Sequence, residues 1–532
     1  MSGPGDLGPI DRLVELADTL AGAWGARARL CTTGGQERAL LRMFGVSGLD
    51  RSGRPLAAEV VDRYIAGRPD RLAGGITLPF TAAVIEYEVA PQELALDVAS
   101  GAIDLSLESE VLRDRERRKA VETAARALTA AALDRIDANR TARLELLAVI
   151  GDADKPWIGA PLAATTVAAG AREAAALTSA GVDVIQVSVP AIRELADRLH
   201  DEGIDVPFWR PRSGGGATPT AEPTEPAPAG SQRGLAELRQ AVDAAAAERR
   251  AYARLATVGM PLSAPEQAVV AAFERIDIVA ADVVAEIVDG NVDPDRALAD
   301  HAFAHRILAR SGATVLVGAG PLIVGPDLAR GVPSDATTRA GRALALQLVG
   351  VSLARRQGVP AGRLLVGAIP AWLLEERSPA AGAIAQVAVR RAVMPDHPLA
   401  FEEPAAGTRA AIGWSAILGA VLPLAGPSGL IVRTSGIEAA HESVVSTRAA
   451  AAVALETAGS LGPLRPRGAA LTAARATVAA AISTLERIVA AGWPSILGET
   501  LGSTGRGRLG ADAVVERAEP FDPLAGTEGL RG

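Results

Sequence analysis

Cysteine is nearly missing from these 532 residues: Cys31 is the single one. That excludes an internal disulfide framework and any thiolate-rich metal site, and it fits a reducing, cytoplasmic setting. Aromatic residues are also scarce, at 3%. A core must therefore be filled by Ala, Leu and Val on closely packed elements, which favours helix-rich architecture. There is no excess of positive charge, since 54 Lys and Arg face 62 Asp and Glu for a net charge of −8. No basic face advertises a nucleic acid or an anionic membrane. Long apolar runs are few. The most apolar stretches, such as residues 411–422, read as too short or too broken by Gly and Pro to span a bilayer. Residues 1–10 lack a basic start followed by an apolar run, so no secretory signal is expected.

What is present is size and periodicity. With 49% apolar residues, the chain can form one large domain with appendages, or two to four ordinary ones. Residues 1–145 read as a helical extension. Residues 10–23 set apolar side chains at helical spacing, and residues 111–147 form a charged, Ala-rich run with few breakers. Gly45-Val-Ser-Gly48 and Gly74-Gly75 punctuate shorter helices between them.

From 146 to 455 short apolar runs alternate with helix-length segments. Leu147-Ala-Val-Ile-Gly151 and Val182-Asp-Val-Ile-Gln-Val-Ser188 have the composition of buried parallel strands, with residues 165–179 as their crossover helix. Segments 251–255, 276–280, 313–318 and 364–367 continue the series. Repeated βα units over about 300 residues predict an α/β fold, a (β/α)8 TIM-type barrel or a doubly wound sheet. Residues 212–234, rich in Gly, Pro, Thr and Glu, cannot bury enough apolar area to offset their ordering entropy, which predicts a disordered insertion. Residues 456–532 are expected to form a C-terminal helical tail, with an amphipathic helix over 471–491 and a Gly-rich stretch beyond it.

Several groupings could carry chemistry. The Gly-rich segment 498–510 could cradle a phosphate on backbone amides, yet it lacks the lysine followed by Ser or Thr of a nucleotide loop, and a flexible surface tail is the competing reading. Gly318-Ala-Gly320 follows a strand where barrel enzymes place ligand loops, but Pro321 withdraws a donor, and a tight turn competes. His301 and His305 stand four apart and could share a metal, but residues 302–304 are Ala-Phe-Ala, without the glutamate of a zincin helix; helix packing is the plainer role. Glu438 and His441 lie three apart after an apolar run. On a helix they share a face and could move a proton or bind a ligand, or simply form a solvated face.

Read together, several stretches resemble one family. These are Glu37-Arg-Ala-Leu-Leu-Arg-Met-Phe-Gly-Val-Ser-Gly-Leu-Asp50, Pro91-Gln-Glu-Leu-Ala-Leu-Asp-Val-Ala-Ser-Gly-Ala-Ile-Asp-Leu105, Ala180-Gly-Val-Asp-Val-Ile185, Phe273-Glu-Arg-Ile-Asp277, Asp300-His-Ala-Phe303, Glu438-Ala-Ala-His441 with Ser446 and Arg448, and Phe521-Asp-Pro523. They are similar to the α subunit of lysine 5,6-aminomutase along nearly the whole chain. The resemblance implies a TIM-type barrel holding adenosylcobalamin and pyridoxal phosphate at the strand C-terminal face. It implies a smaller β subunit with a cobalamin-binding Rossmann domain and the aldimine lysine, in an α2β2 assembly. The reaction implied is a radical shift of an amino group of lysine or a related diamino acid to the adjacent carbon. The cofactors supply the difficult chemistry and the protein orients and charges the site.

Of the family's site positions, Glu438 and His441 carry over as catalytic residues, and Glu438 could hold an ammonium group. Others differ. The family's arginine loop is matched by Val189-Pro-Ala-Ile-Arg-Glu194, its tyrosine and second arginine by Ala285 and Gly290, its acidic pair by Pro321 and Leu322, and its lysine by Ala406. Anionic cofactors and zwitterionic substrates need paired charges once water is excluded. The alternative is therefore a non-catalytic barrel kept as a binding or assembly module.

Overall fold

The computed structural model describes residues 7–106, 112–188, 193–204, 233–257, 264–289, 292–318, 335–369, 373, 379–402, 414–425, 429–432, 440–461, 466–492, 514–517, 521–522 and 524. The N-terminal part is helical: α1 (Ile10–Arg29), a short strand β1 (Cys31–Thr33), α2 (Gly34–Met43), α3 (Leu56–Ile65), α4 (Thr77–Tyr87), α5 (Pro91–Ser100) and the long α6 (Arg115–Ile150). There follow β2 (Trp157–Pro161), α7 (Val167–Ser179), β3 (Val184–Val187), α8 (Arg193–Asp201), α9 (Arg233–Arg249), β4 (Arg254–Thr257), α10 (Ala264–Phe273), β5 (Ile278–Ala280), α11 (Val283–Asp289) and α12 (Pro294–Ser311). The series continues with β6 (Thr314–Val317), α13 (Ala336–Arg356), β7 (Leu364–Gly367), α14 (Pro379–Val393), β8 (Leu399–Glu402), α15 (Trp414–Ala425), β9 (Gly429–Val432) and α16 (Ala440–Leu461). Then come α17 (Gly468–Ala491) and β10 (Val514–Glu516), which pairs antiparallel with β1.

Strands β2 to β9 are parallel and close on themselves, β9 pairing with β2. This is the (β/α)8 barrel that the repeating pattern predicted, and the doubly wound sheet is set aside. Among the described side chains of β2 to β8 both faces are largely buried, so both side-chain sets are mainly apolar. Ile158, Ile185, Leu255, Val279, Val315, Val366 and Phe401 point to the helices and join the main core. Val184, Ala256, Ile278, Leu316, Leu365 and Ala400, with Trp157 and Ala280, form a separate cluster that fills the barrel.

One strand assignment changes and three barrel strands are new. Leu147-Ala-Val-Ile-Gly151 is not a strand but the end of α6 and its cap, and Val149 is 81% exposed. The first barrel strand is Trp157–Pro161, and β8 and β9 come from segments that the sequence pattern did not single out. The low-complexity insertion lies outside the described residues up to 232, and α9 begins at Arg233.

The end of the barrel where the strands begin is sealed. The Arg254 guanidinium lies 3.6 Å over the Trp157 ring and 2.6 Å from Asp152. Nearby, the buried carboxylate of Asp277 accepts from Arg143 at 2.7 Å, Arg239 at 2.8 Å and Tyr252 at 2.7 Å. Burial alone would push the Asp277 carboxyl up, but the two arginines outweigh it and hold it below the usual range. Asp183 is bridged in the same way by Arg249 and Arg448, each at 2.7 Å.

The N-terminal helices carry their own core, in which Leu56, Val60, Phe80 and Leu94 are completely buried. They dock on the barrel through the buried Arg38–Glu266 pair at 2.8 Å, and through Arg42, which donates to the Gly203 carbonyl at 2.7 Å. At the other end of the chain, α17 is long and apolar enough, by length and composition alone, to cross a membrane. That differs from the reading of the sequence. In the fold a stripe of α17 including Ala474, Val478, Ala481 and Leu485 is buried, and the helix packs on α13, α14 and α1.

Candidate active site at the barrel mouth

Because all eight strands run the same way, their C-terminal ends open on one mouth, the place where barrel folds assemble ligand sites. Side chains alternate along a strand, so the position two beyond each interior residue points toward that mouth. Beyond Val184 stands Gln186, beyond Leu365 Gly367 and beyond Ala400 Glu402, while Asp282 and Gly318 lie just past the ends of β5 and β6.

These residues differ in what they can do. Asp282 is engaged: its carboxylate accepts from the amides of Gly318 and Val284, both at 2.9 Å, which ties the tips of β5 and β6 and caps α11. Gly318 has φ 74°, and a Cβ there would collide with the Gln347 side chain behind it. Glu402 ends β8 partly buried, and burial pushes its pKa up. A carboxylate poised in this way gains most from a cation that arrives without its water. Nothing in the sequence pattern marked Glu402; the available signal was an acid closing the apolar run Leu399-Ala-Phe-Glu402.

A family model described as the D-lysine 5,6-aminomutase TIM-barrel domain of the alpha subunit matches residues 6–521. The chain belongs to this family. It is 27% identical over 377 residues to the lysine 5,6-aminomutase alpha subunit of Fusobacterium nucleatum subsp. nucleatum, covering 69% of this chain and 65% of that one. It is 26% identical over 374 residues to the lysine 5,6-aminomutase alpha subunit of Acetoanaerobium sticklandii, covering 70% of this chain and 66% of that one. The alignments thus span slightly less than two thirds of the length of either relative.

The positions proposed from sequence are placed unevenly in this aminomutase-family barrel. Glu438 and the segment 498–510 lie outside the described residues, as do Val189, Gly290, Pro321, Leu322 and Ala406. His441 falls in the first turn of α16, with its side chain outside them, and the backbone of Ala285 lies in α11.

His301 and His305 do come together, on the helix side of the barrel wall. Their rings are 5.5 Å apart, His301 Nε2 is 2.6 Å from Glu286, and His305 Nε2 donates to the Ala281 carbonyl at 3.1 Å. Burial, helped by His301, pushes the His305 pKa down to about 3, so the ring is neutral. Among the described residues no group of three His, Cys, Asp or Glu side chains could hold a metal. The two histidines pack α12 against α11 and β5.

The family's pyridoxal phosphate can be tested against the mouth. A phosphate monoester needs cations or a set of free amides. Among the described inward-facing mouth positions none is cationic, the Gly318 amide is taken by Asp282, and Glu402 would repel an anion. These residues do not fit the phosphate. They fit an ammonium group.

Proposed function

We propose that this chain is the barrel component of an aminomutase-class assembly acting on lysine or a related diamino acid, with Glu402 seating a substrate ammonium at the mouth. The observation that carries the reading is the partly buried carboxylate at the tip of β8, in a chain of the lysine 5,6-aminomutase alpha-subunit family. An amine brought to Glu402 favours the ionised carboxylate and becomes desolvated between β8 and the apolar floor. Gln186 offers a neutral amide for a polar group of the same ligand.

Two further residues, Glu438 and His441, are proposed to serve the same mouth. His441 opens α16, the helix that follows β9, at the end of the barrel where the strands finish. The assembly partner would be a β-type chain with a cobalamin-binding Rossmann domain, in an α2β2 arrangement. Adenosylcobalamin would supply the radical that the amino shift needs. No step is drawn through pyridoxal phosphate, whose phosphate the described mouth residues do not fit. Cys31, single and buried, suits a cytoplasmic location.

The absence of a cation among those mouth positions favours a second reading, a barrel retained for binding or assembly alone. Co-purification of the full chain with its cobalamin-binding partner separates the two. The enzyme reading expects bound-cobalamin absorbance at micromolar concentrations and isomerisation of lysine. A complex that forms without that absorbance and without isomerisation leaves only the binding module.

A further inference from the structure

Arg390 on α14 is 1% exposed, and its hydrogen-bond partners are all neutral. Its Nε donates to Gln347 Oε1 and to the Gly367 carbonyl, each at 2.8 Å, and its Nη1 donates to Gln386 Oε1 at 2.7 Å. No carboxylate among the described residues pairs with it. A buried guanidinium without a counter-ion costs on the order of several kcal/mol, and an apolar side chain of similar length would fill the space at less cost. Stability alone does not account for this residue.

What the guanidinium does is clamp strand tips. The Gly367 carbonyl, at the end of β7, receives Arg390 and also Gln347 Nε2 at 3.0 Å, while the same Gln347 amide reaches the Val317 carbonyl of β6 at 3.3 Å. Gln347 comes so close to β6 that only glycine fits at 318. One residue past Gly367, the Ala368 amide donates to the Ala400 carbonyl of β8 at 2.7 Å, two positions before Glu402. Behind Arg390, Gln386 Nε2 donates to Thr477 of α17 at 3.2 Å, which anchors the clamp in the C-terminal region.

We propose that Arg390 is a positioning residue of the mouth: through Gly367 and Gln347 it fixes the tips of β6 and β7, and so the place at which Glu402 meets an amine. The proposal deepens the reading of the mouth as an amine site and rests on it. Burial pushes the Arg390 pKa down to about 9, so the clamp is still protonated at neutral pH.

The test is calorimetric binding of 1,5-diaminopentane to the full chain as wild type, Glu402→Gln, Arg390→Met and Arg390→Lys, with melting curves for each. Glu402→Gln is expected to abolish binding. Arg390→Met is expected to weaken it about ten- to a hundredfold in protein that is still folded, by analogy with groups that orient metal-binding side chains. Arg390→Lys, which keeps the charge and one donor to Gly367, should recover most of the loss. Arg390→Met protein that melts earlier but binds the diamine as tightly as wild type overturns the proposal. If wild type binds no diamine, the amine reading of the mouth is what fails. The clamp is then judged by amide exchange over residues 364–369: faster exchange in Arg390→Met and not in Arg390→Lys supports it, and equal exchange in all three sinks it.

Discussion

His305 is held in a place where a second proton has no room. Its imidazole takes a proton near 6.5 when exposed and only near 3 in the fold, because burial and the neighbouring His301 oppose the charge. The stability this contributes is complete above pH 6.5 and drains away as pH falls from there toward 3. Asp300 works the other way. Burial raises its carboxyl from 3.8 to about 6, so its contribution is complete below 3.8 and is lost as pH rises through 6. The histidine shift is the larger, and acidification from pH 6.5 to 4.5 should lower the melting temperature. His305→Gln, which keeps a donor for the Ala281 carbonyl, should lose less over the same interval in thermal melts. Glu402 carries a burial cost of the same kind. At neutral pH its partly buried carboxylate is disfavoured, so Glu402→Gln should stabilise the ligand-free chain by on the order of 1 kcal/mol, a trade of function against stability that urea unfolding can measure.

Among the elements, several helix starts are fixed by a capping side chain. Thr33, Asp114, Thr166, Asp293 and Asp335 each cap a helix by accepting its first free amides, as their short oxygen-bearing side chains dictate. Asp335 accepts from the Thr338 amide at 2.9 Å and from its hydroxyl at 3.0 Å at the start of α13. Asp335→Ala should cost about 1 kcal/mol, seen as an earlier urea midpoint with an unchanged slope. The strands were legible where the apolar run was long, as in Val182 to Ser188. They were not legible at Trp157–Pro161, where Gly159, Pro161 and the preceding Pro156 break the pattern. Leu147-Ala-Val-Ile misled because apolar residues ending a 36-residue helix have the composition of a strand, whereas here Ala148 and Val149 are exposed.

For the whole molecule, the joint between the N-terminal helices and the barrel is as consequential as the barrel itself. Gly203 has φ 83°, and a Cβ on it would sit 2.2 Å from the Gly48 carbonyl oxygen. The Gly48 amide meanwhile donates to the Glu202 carbonyl at 3.0 Å. Gly203→Ala should cost about 1 to 3 kcal/mol through overpacking and the left-handed backbone. The expected signature is faster proteolysis and amide exchange across α2 to α5, with the barrel strands still protected; uniform exchange would show that the two parts do not separate there.

By itself the sequence determined the βα repeat, the helical extension, the family and the lack of an internal disulfide, because these follow from local periodicity, composition and short motifs. Tertiary structure alone decided closure of the sheet, which side chains fill the barrel and which face the helices. It also decided that Glu402 stands at the mouth, and that Arg390, Gln347 and Gly318, far apart in sequence, meet behind it. Those outcomes depend on the register between strands and on burial, and an isolated stretch of residues carries neither.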